Sequence, residues 1–124
     1  MNKLTSRHCL GALVLTAMLL NCGCVVHHGD FTVASTKLVR LNEFELEKAS
    51  RAKNVEGDDI SHIVFLFPTK ANPTLKTAMD NAMDVGNGDV MTDVSIDFIH
   101  FYIPFLYGQT GWTVKGDVVK TRRN

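Results

Sequence analysis

The chain has three cysteines and three prolines in 124 residues, balanced charge, and a single tryptophan. It also has no uninterrupted apolar run of the roughly 20 residues that a membrane-spanning helix requires. The cysteines, Cys9, Cys22 and Cys24, all lie near the front, so they cannot build the internal disulfide framework of a small secreted domain. Equal numbers of acids and bases leave no basic footprint for nucleic acid or anionic lipid. No Cys or His set has zinc-site spacing. DVGNGD at 84–89 lacks the twelve-residue spacing and closing Glu of an EF-hand. Ser35, Ser50, Ser61 and Ser95 sit in no G-x-S-x-G elbow. Asp93 and Asp97, four residues apart on a strand, stand about 13 Å from each other, too far for the usual paired carboxylates of sugar hydrolysis. No metal, no cofactor and no enzymatic activity are therefore expected.

What the chain does have is a distinctive beginning. MNKLTSRH carries Lys3 and Arg7 and no acid, and the next stretch, LGALVLTAMLL at 10–20, carries no charge. A basic start followed by an apolar core of this length reads as a secretory signal peptide. The core runs into LLNCGC, which resembles the lipobox of bacterial lipoproteins. In that pattern a cysteine takes a diacylglycerol on sulfur and becomes the first residue of the mature chain. An aliphatic residue three positions earlier and a small residue immediately before it are preferred. Cys22 has Leu19 in the first position but Asn21 in the second, whereas Cys24 has Gly23 in the second but Asn21 in the first. Cys22 is favoured because its aliphatic position, Leu19, belongs to the end of the apolar core, with Cys24 as the alternative.

The resemblance divides the chain into a signal peptide at 1–21, a lipid-anchored tether at 22–30 and a single domain at 31–124. It implies an envelope protein bound to a membrane through its lipidated cysteine. The lack of Asp after Cys22 implies the outer membrane, facing the periplasm. The mature part keeps 103 residues, enough for one domain, and its 13 acids face 11 bases.

Periodicity then places the elements. DFTVASTKLVRL at 30–41 predicts a strand, and residues 42–53 a strand or irregular segment. ISHIVFLF at 60–67, closed by Pro68, suits a short buried strand. In the following segment Asn72 can cap and Pro73 can open a helix over 74–85, where Leu75, Ala78, Met79, Ala82 and Met83 share a face. Gly86 and Gly88 around Asn87 supply its left-handed end. Residues 90–99 alternate, with Val90, Thr92, Val94, Ile96 and Phe98 on the apolar side. TVKGDVVKT at 113–121 predicts the last strand. The expected fold is α+β: a four- or five-stranded, mainly antiparallel sheet with one helix packed on one face.

The body resembles a family of small bacterial lipoproteins, through VEGDD at 55–59, GNGDV at 86–90 and YIPFLYGQTGWTVKGDVV at 102–119. That resemblance implies anchoring and supplies no chemistry. The feature most suggestive of function is aromatic density. Phe98, Phe101, Tyr102, Phe105, Tyr107 and Trp112 crowd around a turn bearing Pro104. Phe101, Tyr102, Phe105, Tyr107 and Trp112 are expected to form a contact patch for an envelope protein partner; membrane contact and simple core completion are the competing readings. Two other function classes stay open. A small-ligand or peptide module would need a pocket between the helix and the sheet, and an envelope hydrolase would need His62, His100 and Asp97 to converge. His27 and His28, being adjacent on an extended chain, point opposite ways.

Overall fold

A computed structural model describes residues 11–16, 23–38 and 49–120. Cys9, Cys22 and residues 39–48 lie outside the described residues. Five strands form one antiparallel sheet: β1 (Cys24–Ala34), β2 (Arg51–Val64), β3 (Phe67–Pro68), β4 (Val90–Ile103) and β5 (Tyr107–Val119). Their spatial order is β1-β4-β5-β2-β3. Helix α1 (Leu75–Val85) packs across β2 and β5 on one face, so the fold is the α+β class expected from the sequence. Residues 11–16 are helical and exposed, and no described helix is long and apolar enough to cross a bilayer.

The central hairpin is β4 and β5, long strands joined through the three residues 104–106, with Ile103 opposite Tyr107. β2 lies against β5, and a second hairpin turn at 65–66 leads from β2 into β3, with Val64 opposite Phe67. Because Val64 also faces Tyr107, the two turns sit side by side at one end of the sheet.

Helix α1 begins one residue later than the sequence suggested. Thr74, not Asn72, is the cap: its backbone is extended and its side chain accepts from the Thr77 amide at 3.2 Å. The hydroxyl satisfies one of the helix's unpaired first-turn donors, whereas Asn72 has a left-handed backbone (φ 46) in place of the extended one an N-cap adopts. Ala78, Met79, Ala82 and Met83 are buried as the spacing predicts. At the far end Asn87 adopts the left-handed backbone (φ 50), while Gly86 remains right-handed and Gly88 donates to the Met83 carbonyl at 3.0 Å.

These helix residues meet Val55, Met91, Val94, Ile96, Val114 and Val118 from the sheet. The contact is unusually close at Gly57, where a Cβ would stand 2.3 Å from the Ala82 amide nitrogen and 2.4 Å from the Ala78 carbonyl oxygen. A side chain of any size there would lift the helix.

Three expectations change. First, β1 starts at Cys24 and ends at Ala34 instead of spanning 30–41. Val25, Val26, His27, Gly29 and Asp30 all have partners on β4, so most of the segment expected to be a tether is sheet. The pairing is possible because Val25 and Val26 already have strand propensity. Second, the simple alternation expected along β4 is broken by a bulge between Thr92 and Ser95, with Asp93 at φ 52. The inserted residue inverts the phase, so Met91 joins Val94 and Ile96 in the core. Third, residues 60–67 are not a buried strand. Ser61 is buried, but Val64, Phe65, Leu66 and Phe67 are exposed.

Candidate functional site

The exposed end of the sheet is the most unusual surface among the described residues. Its apex consists of the two neighbouring turns. Relative exposures are 52% for Phe65, 54% for Leu66, 74% for Phe67, 63% for Phe105 and 67% for Leu106. Scattered apolar residues are normal on a surface, but a contiguous group of large ones marks a contact site.

The turns are held rigidly to each other. The Phe65 amide donates to the Leu106 carbonyl at 3.2 Å, and the Tyr102 hydroxyl donates to the Phe65 carbonyl at 3.3 Å. Phe65 and Phe105 place their ring centroids 6.2 Å apart. Both phenylalanines have left-handed backbones, with φ of 62 and 60. Bulky L-residues avoid that region, at a cost of roughly 1–2 kcal/mol each, and hairpin turns ordinarily place Gly, Asn or Asp there. Two large, exposed aromatics at strained positions add little to the core, and backbone strain of this kind collects at functional sites.

Behind the apex lies a band of polar-tipped aromatics. Tyr107 stacks on His62, with centroids 6.0 Å apart, and its hydroxyl is 2.7 Å from His62 Nδ1. Gln109 Nε2 donates to the same hydroxyl at 2.7 Å. No Asp, Glu, Lys or Arg occurs in residues 60–69 or 98–112. Charges gather at the opposite end, where Lys37, Asp84, Asp89 and Lys120 line a shallow open pocket.

A buried carboxylate fixes the loop that carries β3 back to the helix. Asp59 is only 3% exposed, lies 2.5 Å from Lys70 Nζ and accepts from the Thr74 amide at 2.9 Å. Burial raises its pKa, but the hydrogen bonds from Lys70 and Thr74 outweigh it and hold the carboxyl below its ordinary value. The Ser61 hydroxyl donates to the Lys70 carbonyl at 2.6 Å. The apolar apex is therefore mounted on a pinned loop.

The five expected patch residues separate. Phe105 is at the apex and Tyr107 at its edge, while Phe101 and Tyr102 are half-buried on the strand below. Trp112 lies away from the apex, packed on Phe98 and His28 with centroid distances of 4.9 and 5.0 Å, and it touches the core. Phe65, Leu66, Phe67 and Leu106 were missed. Their signal was an apolar run without alternation or charge, which also fits a buried strand.

Other expected constellations have definite placements. His27 and His28 point to opposite faces: His27 Nδ1 is 2.9 Å from Asp97 Oδ1, while His28 joins the aromatic group on the helix side. The hydrogen bond with Asp97, opposed by partial desolvation and aided by Asp30, raises the pKa of His27. His62 aligns with Gln109 and His100 with Thr110, adjacent positions whose side chains project to opposite sheet faces. Asp97 lies four strand positions from Phe101, the residue aligned with Gln109, so His62, His100 and Asp97 do not converge. The seam between helix and sheet is filled by close-packed residues, including fully buried Ala78, Ala82, Val94 and Val114. Cys24 is exposed at the start of β1, and Cys22 lies outside the described residues. Among the described residues no group of three His, Cys, Asp or Glu side chains is placed to hold a metal. No protein-family model, curated protein or solved structure matches this chain.

Proposed function

We propose that this chain is an envelope lipoprotein, anchored through Cys22 and acting without catalysis by holding a small contact domain against the membrane. One observation carries the reading beyond the signal sequence: the sheet starts at Cys24, the last residue of the lipobox-like segment. A lipid on either Cys22 or Cys24 would hold the domain flush with the bilayer, because two extended residues reach at most about 7 Å. Several acyl chains on one cysteine would make that attachment durable. The domain then acts by position and surface contact, in a structural or protein-interaction role. Its proposed place is the outer membrane, facing the periplasm.

A small-ligand or peptide module is the alternative, but the filled helix-sheet seam offers it no support. The test is crosslinking in intact envelopes followed by mass spectrometry of both the crosslinked species and the N-terminal peptide. A lipid-modified peptide beginning at Cys22, with the domain crosslinked to envelope components, is the expected result. A mature chain released without lipid would overturn the reading.

A further inference from the structure

The geometry points to a second membrane contact: the apex formed by Phe65, Leu66, Phe67, Phe105 and Leu106 inserts into the interfacial layer of the bilayer and sets the domain's orientation. The inference deepens the anchoring proposal and rests on it for the choice of a membrane as the occupant.

Position is the first argument. Cys24 lies opposite His100 on β4, and Gly23 lies against Phe101, so β1 traced backward runs toward the apex. From His100 to the end of β4 at Ile103 is three residues, about 10 Å of strand. A lipid on Cys22 or Cys24 would therefore sit beside the two turns and far from the charged end. An anchor at this place brings the apex to the bilayer without any hinge.

Chemistry is the second. The apex carries large apolar side chains, and the 60–69 and 98–112 segments hold no charged residue whose desolvation would oppose insertion. Tyr102, Tyr107, His62 and Gln109 stand just behind it, with apolar bodies and polar tips. That succession, apolar tip and then hydrogen-bonding aromatics, matches the gradient from acyl chain to headgroup. The turns keep some of their backbone polar groups paired internally, through Phe65 N to Leu106 O and Leu106 N to Ile103 O. A protein partner would also cover an apolar surface, but nothing in such an interface requires it to be level with the anchor.

Fluorescence quenching tests this. Trp112 is the only tryptophan, so full-length Trp112→Phe, Phe105→Trp protein, isolated from its own envelope, carries one reporter at the apex. It is reconstituted in phosphatidylethanolamine and phosphatidylglycerol vesicles whose acyl chains are brominated near the headgroup. Trp112→Phe, Leu106→Trp serves as a second reporter if the first folds poorly. Emission from residue 105 or 106 should shift to the blue and be strongly quenched. Wild-type Trp112, five residues or about 16 Å along the strand from Tyr107, should not be quenched. Solvent-like, unquenched emission at both apex positions in vesicle-bound protein would overturn the inference, as would crosslinking of the apex to a protein alone.

The anchor is read separately, by the mass of the N-terminal peptide. The mature chain carrying both Cys22→Ser and Cys24→Ser, exported behind a cleavable leader without cysteine, should still show apex quenching as lipid is added. In that form Phe105→Ser with Leu106→Ser should weaken vesicle partitioning by about 100-fold, from roughly tenfold per apolar side chain. Apex quenching in this form with no acylation in the native protein would sink the anchor alone. An acylated native protein with a solvent-exposed, unquenched apex would sink the insertion alone.

Discussion

Replacing Phe105 by Asn should make the fold more stable while weakening its membrane contact. Phe105 occupies a left-handed backbone conformation at φ 60. For a bulky L-residue this costs roughly 1–2 kcal/mol, most of which Asn avoids because its short polar side chain tolerates that region. Against this stands the loss of packing. The ring is 63% exposed, so only about a third of the roughly 1.5–3 kcal/mol of full burial is at stake, or about 0.5–1 kcal/mol. At the middle of both ranges strain relief wins by about 0.7 kcal/mol, an increase of roughly 3–6 °C in Tm for a domain of this size. Thermal unfolding of purified wild-type and Phe105→Asn protein in the same detergent, followed by circular dichroism, measures it. A fall in Tm of more than a few degrees would show that the ring is a structural keystone, refuting its assignment as a surface held out for contact.

Other consequences concern what positions the apex. Gly57→Ala should cost about 2–4 kcal/mol in chemical denaturation, because its Cβ would meet the backbone of Ala78 and Ala82 inside 2.5 Å and the helix must shift. Asp59→Ala should cost about 1–3 kcal/mol and loosen the 69–74 loop, seen as faster amide exchange at Thr74, since it removes the acceptor of the Thr74 amide and breaks the Lys70 contact. Asp80 accepts from Lys76 at 2.5 Å and from Thr36, and these bonds lower its pKa despite partial burial. Because Asp59 and Asp80 titrate below their unfolded values, their stabilisation is complete above about pH 4 and fades as pH falls through the folded values. Acid unfolding of Asp59→Asn should accordingly be less steep. His27, raised by its Asp97 hydrogen bond, contributes in the opposite sense: fully below its unfolded value of 6.5, and not at all once pH passes its folded value. An NMR titration should give a midpoint above 6.5 for His27 that drops in Asp97→Asn.

The helix and the outline of the sheet were legible because their signals are local. Ala78, Met79, Ala82 and Met83 sit on one helical face whatever surrounds them. The bulge at Asp93 was not legible, since a left-handed aspartate in a run of alternating residues depends on the partner strand, with Asp93 and Val94 both spanning Gly116. Sequence periodicity also could not tell VFLF as a buried strand from VFLF as an exposed turn. Both are apolar, and only the pairing of Val64 with Phe67 and Tyr107 turns the run outward. The aromatic patch was half legible for a related reason. Phe105 and Trp112 are close in sequence, but the strand carries them from the open apex to the edge of the core. The start of β1 was hidden by the expectation that a lipid anchor is followed by slack chain.

On the proposed reading the domain is held at the membrane by a lipidated cysteine placed beside its apolar apex. The most direct measurement is the mass of the mature N-terminal peptide from protein extracted from its native envelope. Recovery of a peptide beginning at Cys22 and carrying a diacylglyceryl group is the predicted result. A lipid-modified peptide beginning at Cys24 would move the attachment by two residues and leave the geometry intact, whereas an unmodified N-terminus would contradict the account.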